Sequence, residues 1–175
     1  MIRFFNKWRR AVGGVAAIEF ALIIPVMLAT FFGVAEVSNY ILAARKVANI
    51  ASSAADLVAQ DTAIDDGEMA DIMGALDVVL RPFSPDDAQI RITSVVADSN
   101  GQTTVGWSDA RNTGPYAQGS PITVPDDLVP DNQGIIMAEV SYTYHTLFGM
   151  YLTDGITVSD TFYLKPRRST SVQRL

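Results

Sequence analysis

The chain has no cysteine and a single histidine, His145, among its 175 residues. The missing thiols exclude disulfides, thiol catalysis and cysteine-ligated zinc. His145 follows a tyrosine-rich stretch and has no recognisable nucleophile or metal-ligand partner, so it reads as structural. There is no phosphate loop, dinucleotide fingerprint or HExxH pair. The adjacent carboxylates Asp86-Asp87 and Asp126-Asp127 would point apart in a strand, and they suit turns better than general acid–base work. Neither an enzymatic activity nor a cofactor is expected.

Charge is scarce at the N-terminus in two different ways. The first ten residues carry Arg3, Lys7, Arg9 and Arg10 and no acid, and from Ala11 to Ala35 the only charged residue is Glu19. An apolar run of that length can cross a hydrocarbon core of about 30 Å at ~1.5 Å per helical residue. The basic leader sets the N-terminus in the cytoplasm, with the rest of the chain outside. Gly33-Val34-Ala35 also resembles a small-residue signal-peptide cleavage site, although the apolar run is longer than such peptides use. Glu19 falls near mid-membrane, where a charge costs roughly 2.5–3.5 kcal/mol on insertion scales and is usually paired and functional.

Gly14 is followed by Val15-Ala16-Ala17-Ile18-Glu19-Phe20, which resembles the type IV prepilin signature: glycine before the scissile bond, glutamate fifth after it, then an apolar residue. Glycine tolerates conformations that other residues avoid and weakens a helix locally, which suits a peptide bond that must reach a peptidase at the membrane face. The longer string, with Glu19-Phe20-Ala21, Pro25, Gly33 and Glu36, resembles the TadE-like family of tight-adherence (Flp-type) pilus-assembly proteins over about residues 9–60. That resemblance implies a minor pseudopilin or assembly factor. A prepilin peptidase would cut between Gly14 and Val15, and Glu19 would be the assembly carboxylate that pairs with a new α-amino group on a neighbouring subunit. It also implies partners among other pilus or pseudopilin subunits and the inner-membrane assembly platform, with adhesion and biofilm roles. The alternative is an unprocessed single-pass membrane protein whose periplasmic domain binds a ligand.

The domain plan follows: a basic leader over 1–14, a transmembrane helix over 15–35, its extramembrane continuation over 36–60, and a periplasmic α+β domain over 61–175. Loss of the four leader cations would take the net charge from −6 to −10. From Ser52 to Asp131 there are 14 acids against Arg81, Arg91 and Arg111, an imbalance that repels nucleic acid. Lys165, Arg167, Arg168 and Arg174 close the chain with no acid after Asp160, and a solvated, frayed tail is expected.

Periodicity supplies the fold. Val37, Ile41, Ala44, Ala48, Ala51, Ala55 and Val58 alternate steps of four and three, predicting one helical stripe that packs on the protein's own sheet or on another subunit. Pro25 predicts a kink near residues 21–25. Asp65 and Glu68 form a capping box for a helix over about 67–80, closed by Arg81-Pro82. The same box accounts for the acid cluster Asp61, Asp65, Asp66, Glu68 and Asp71 better than an EF-hand loop, whose ligand spacing is absent. Strands are predicted at 88–97, 102–107, 136–144 and 156–164, with a turn at Asn100-Gly101 and Asp160 breaking the alternation of the last. The expected fold is therefore α+β and pilin-like, with an antiparallel sheet of about four strands. The glycine- and proline-rich stretch 108–134 reads as surface loop, with Trp107 and Tyr116 either a partner surface or a cap on the sheet edge.

Overall fold

The computed structural model describes residues 14–125, 127–146 and 155–175. The leader cations, Gly13 and Asp126 lie outside the described residues. The architecture is α+β. A 45-residue helix α1 (Val15–Ala59) leads into a short strand β1 (Ala63–Ile64) and a second helix α2 (Asp66–Leu80). Then come β2 (Ala88–Ala97), β3 (Thr103–Arg111), β4 (Gly134–Tyr144), β5 (Ile156–Leu164) and β6 (Gln173–Arg174). The main sheet has the order β3-β2-β4-β5, antiparallel throughout, and β1 pairs with β6 in a separate parallel ribbon.

The two halves of α1 have opposite surroundings. From Val15 to Val34 most of its large apolar side chains are exposed, with Ile18, Leu22, Val26 and Phe31 all above 60 %. From Ala43 onward one face is closed off: Ala43, Val47, Ile50, Ala51, Ala54, Ala55, Val58 and Ala59 are buried where α1 packs on the inner face of β4 and β5 and against α2. Alanine suits this face because a short side chain lets the helix axis approach the sheet closely. The predicted stripe is correct at Ala51, Ala55 and Val58 but not upstream, where Val37 and Ile41 are exposed. Steps averaging 3.5 residues drift by about 20° per seven residues against a 3.6-residue helix, so the ladder has turned away from the sheet by ~60° at Val37. α1 remains helical through Pro25.

α2 begins as its capping box dictates. Asp65 accepts from Glu68 N at 2.8 Å, and Glu68 in turn accepts from Asp65 N at 3.0 Å. Met69, Leu76 and Leu80 face the core, and Lys46 on α1 donates to Val79 O at 2.8 Å, supplying a partner for one of the last helical carbonyls. The β2–β3 turn is fixed by Asp98, whose carboxylate accepts from Asn100 N and Gln102 N. These bonds, Gln102 foremost, hold its pKa below the ordinary carboxylate value.

Two sequence expectations need correcting. β3 runs four residues beyond Trp107, pairing Ser108–Arg111 with Ile90–Thr93 of β2. Its polar end looked like loop because Asp109 and Arg111 are strand residues neutralised from elsewhere, by Arg174 and Asp77 respectively. The basic tail is not frayed. Val172 is 1 % exposed, Gln173 and Arg174 pair with Ala63 and Ile64, and Trp107 Nε1 donates to Val172 O at 2.8 Å. Gly134 makes the crossing possible. Its N–H donates to Thr170 O at 2.8 Å, and an added Cβ would sit 3.0 Å from Ser171 Cβ and 3.1 Å from Val95 O.

The outer face of the sheet is partly covered by the long loop. Val95, Ile135 and Met137 form a second small core with Tyr116, Ile122, Val124, Leu128 and Val129. Tyr116 stacks under the Arg91 guanidinium, 4.2 Å from its ring centroid, and donates to Glu139, which also pairs with Arg91. Tyr116 therefore ties the loop down to the sheet, and Trp107 is buried on the opposite, helix-facing side.

Candidate functional site

The residues singled out by sequence are strung along α1, and their burial separates them into two groups. Gly14 is the N-cap, in helical conformation (φ −86°, ψ −22°), with no side-chain cap on the first turn. Val15 is 54 % exposed, Phe20 is 59 % exposed and Glu19 is exposed with them. One turn separates Val15 from Glu19, so the two project from nearly the same side of the helix, about 6 Å apart along the axis. Pro25 follows, still on the exposed stretch, and its missing N–H removes the usual donor to Ala21 O. Gly33 lies two turns further along at intermediate burial.

Glu36 is different. It is 3 % exposed, and among the described residues neither carboxylate oxygen has a hydrogen-bond partner. It lies 21 residues from Val15, about 32 Å along the axis, where a ~30 Å hydrocarbon core ends. Around the axis it is turned about 100° from Glu19, towards the domain. Its neighbourhood is aromatic: Tyr40, one turn on, meets Tyr144 edge-on with centroids 6.2 Å apart, and Phe83 packs on both Tyr144 and Tyr142. The Tyr144 hydroxyl is likewise buried, with no partner among the described residues. Burial raises its pKa above the usual phenol value, and the charge of Glu36 adds to the effect.

The two glutamates of the motif are thus not one site. Glu19 is offered outward on an apolar helix, and Glu36 is turned inward at the foot of the domain. Sequence reasoning placed both in one motif and missed Tyr144 as the neighbour of Glu36. Tyr144 sits at the last position of an alternating strand, and nothing in one sequence ties a strand end to a helix residue more than a hundred positions earlier.

An unpartnered buried carboxylate is costly, and an apolar replacement of similar size often stabilises. Glu36→Leu is therefore expected to stabilise the folded domain by ~1–3 kcal/mol, read as a higher thermal midpoint of the detergent-solubilised protein. An unchanged or lower midpoint would mean that the carboxylate has a partner in solution.

The remaining candidates are explained locally. His145 is 63 % exposed at the side chain, 3.9 Å from Asp87. The acid cluster divides its work: Asp65 and Glu68 cap α2, while Asp66 pairs with Arg174. Among the described residues no group of three or more histidine, cysteine or acidic side chains is placed to hold a metal.

α1 is the one helix among the described residues long and apolar enough to cross a membrane, and its most apolar window has none of its residues buried within the protein. This identifies α1 as the membrane-anchoring candidate. The comparison with protein families falls on the same element. Residues 14–56 match the family model of TadE-like proteins. The TadE-like segment starts at Gly14, contains Glu19, Phe20, Pro25, Gly33 and Glu36, and ends three residues before α1 does. It covers the exposed apolar half and the buried alanine face together, so the likeness belongs to the whole helix. No curated protein and no solved structure matches the chain.

Proposed function

We propose that the protein is a minor pseudopilin or assembly factor of a tight-adherence (Flp-type) type IV pilus, held in the inner membrane by α1 with its α+β domain in the periplasm, and matured by a prepilin peptidase that cuts between Gly14 and Val15. The role is non-enzymatic. The observation that carries this reading is the exposed Glu19 on an otherwise apolar, exposed helical segment inside the TadE-like match. A carboxylate that the described residues leave unpaired about 6 Å along the apolar span from Val15 calls for a partner from outside, and the α-amino group of a cleaved Val15 on a neighbouring subunit supplies one.

Gly14 gives independent support. Its φ is negative, and an added Cβ would meet nothing within 4 Å. The fold makes no demand for glycine there, whereas a peptidase that must reach the backbone at the start of the apolar helix does. The extramembrane half of α1 supports a subunit role as well. Its alanine face is used up on its own sheet, yet Val37, Ile41 and Leu42 stay exposed beyond the ~30 Å reach of the core and prolong the apolar surface. The partners under this reading are the prepilin peptidase, other pilus or pseudopilin subunits and the assembly platform.

The N-terminal sequence and intact mass of membrane-extracted protein, from cells with and without the prepilin peptidase, test the proposal. A Val15 start that depends on the peptidase is expected. A retained leader would favour an unprocessed single-pass anchor with a periplasmic binding domain, and a start near Glu36 would mean an ordinary signal peptide.

A further inference from the structure

β5 forms one edge of the main sheet, hydrogen-bonded to β4 over all nine residues with no shift in register. Among the described residues no backbone hydrogen bond reaches its other side. The opposite edge is treated differently. The upper part of β3 is sealed by the chain's own loop, with Val105 N donating to Ser120 O at 3.0 Å, Gly119 N to Val105 O at 2.8 Å and Ile122 N to Thr103 O at 3.2 Å. An uncovered edge is a template for another strand, and proteins usually blunt it with proline, lysine or a bulge. β5, ITVSDTFYL, has none of these.

Its one charge is informative. Asp160 lies opposite Val140, on the helix-facing side with Val158 and Phe162. It is exposed, as is Phe162 at 40 %, and among the described residues its carboxylate accepts only from Thr161 N, at 2.8 Å. On the other face Thr157, Ser159 and Thr161 present hydroxyls. An inward-facing charge on an edge strand repels indiscriminate apolar pairing. The same charge selects a strand that brings a cation opposite it.

We propose that β5 is a docking edge for an extended segment of another protein, adding antiparallel to the sheet with a lysine or arginine opposite Asp160, apolar residues two places on either side of it, and hydroxyl side chains on the other face. A second copy of this chain is not the occupant. A copy whose β5 added antiparallel to this one would be related by a two-fold axis normal to the sheet, which reverses α1, so the two apolar halves would point in opposite directions and could not share one membrane. A single extended loop or tail carries no such constraint. The proposal concerns the outer domain and stands apart from leader processing.

The test uses isotope-labelled, detergent-solubilised full chain and the synthetic peptide Val-Thr-Val-Thr-Lys-Thr-Val-Thr-Val. Saturable binding with new amide protection confined to Ile156–Leu164 is expected. Asp160→Lys should weaken it about tenfold, and a peptide with glutamate in place of lysine should recover the affinity for that variant. Asp160→Asn, a milder change on an exposed side chain, should abolish the preference for the lysine peptide over the glutamate peptide. Equal binding of both peptides to the wild-type chain, protection elsewhere, or no binding at millimolar peptide would overturn the proposal.

Discussion

Glu19→Ala should leave the protein in the membrane and out of the pilus. Removing the charge favours insertion, by no more than the roughly 2.5–3.5 kcal/mol a charge costs at the helix centre, so the variant should be at least as abundant in the membrane fraction as the wild type. Assembly should behave in the opposite way. If the carboxylate pairs with a Val15 amino group on the next subunit, deleting it strands that amino group in hydrocarbon, and breaking one side of a buried pair costs about 3–5 kcal/mol. That corresponds to a hundredfold or greater loss in the assembly equilibrium. Gly14→Leu should reach the same end earlier by blocking maturation, leaving a protein heavier by the uncut leader. Surface pili counted by microscopy, alongside the mass and membrane abundance of each variant, decide the matter. Wild-type piliation in both variants would sink the pseudopilin reading.

The sequence disclosed those parts of the fold in which local chemistry and tertiary environment agree. Asp65 and Glu68 announce the start of α2 because a capping box is a contact between residues three apart. β2 and β5 carry enough Ile, Val, Thr and Phe to be recognised end to end. Prediction failed where a polar residue is neutralised by something distant. Asp109 and Arg111 look like loop until Arg174 and Asp77 are set beside them. The tail looks frayed until Ala63–Ile64 is seen waiting for it. The candidate site divides in the same way. Glu19 was legible because its oddity, a charge in an apolar run, is local. The inward turn of Glu36 was not, since it depends on Tyr144 at the end of β4, more than a hundred residues along the chain. The charge at Asp160, on the helix-facing side of β5, broke an alternation visible in the sequence, but its position on an open edge needed the strand order.

Deleting the last four residues, from Val172 on, should destabilise the domain by about 3–5 kcal/mol, a large part of the ~5–15 kcal/mol typical of a folded domain. Two buried losses dominate. Val172, 1 % exposed, would no longer fill its place in the main core, which costs ~1.5–3 kcal/mol. Trp107 would keep its indole N–H in the core without the Val172 carbonyl, a further ~1–3 kcal/mol. The contacts of Arg174 add less than their number suggests. It bonds Asp109 at 2.8 Å and also reaches Asp66 and Ile64 O, but the Asp66 side chain is 94 % exposed and that pair is screened by solvent. Asp109, and after it Asp66, raise the Arg174 pKa above its ordinary value. The stability it contributes is therefore fully present below the unfolded value and is lost only as the pH rises through the folded one, beyond any working range. Arg174→Ala should accordingly shift the thermal midpoint much less than the four-residue deletion and Val172→Ala more than Arg174→Ala, with salt reducing only the arginine effect. Thermal unfolding of the three variants at low and high salt ranks them. If Arg174→Ala equals the deletion, the tail is held by charge rather than by the buried valine and the indole bond.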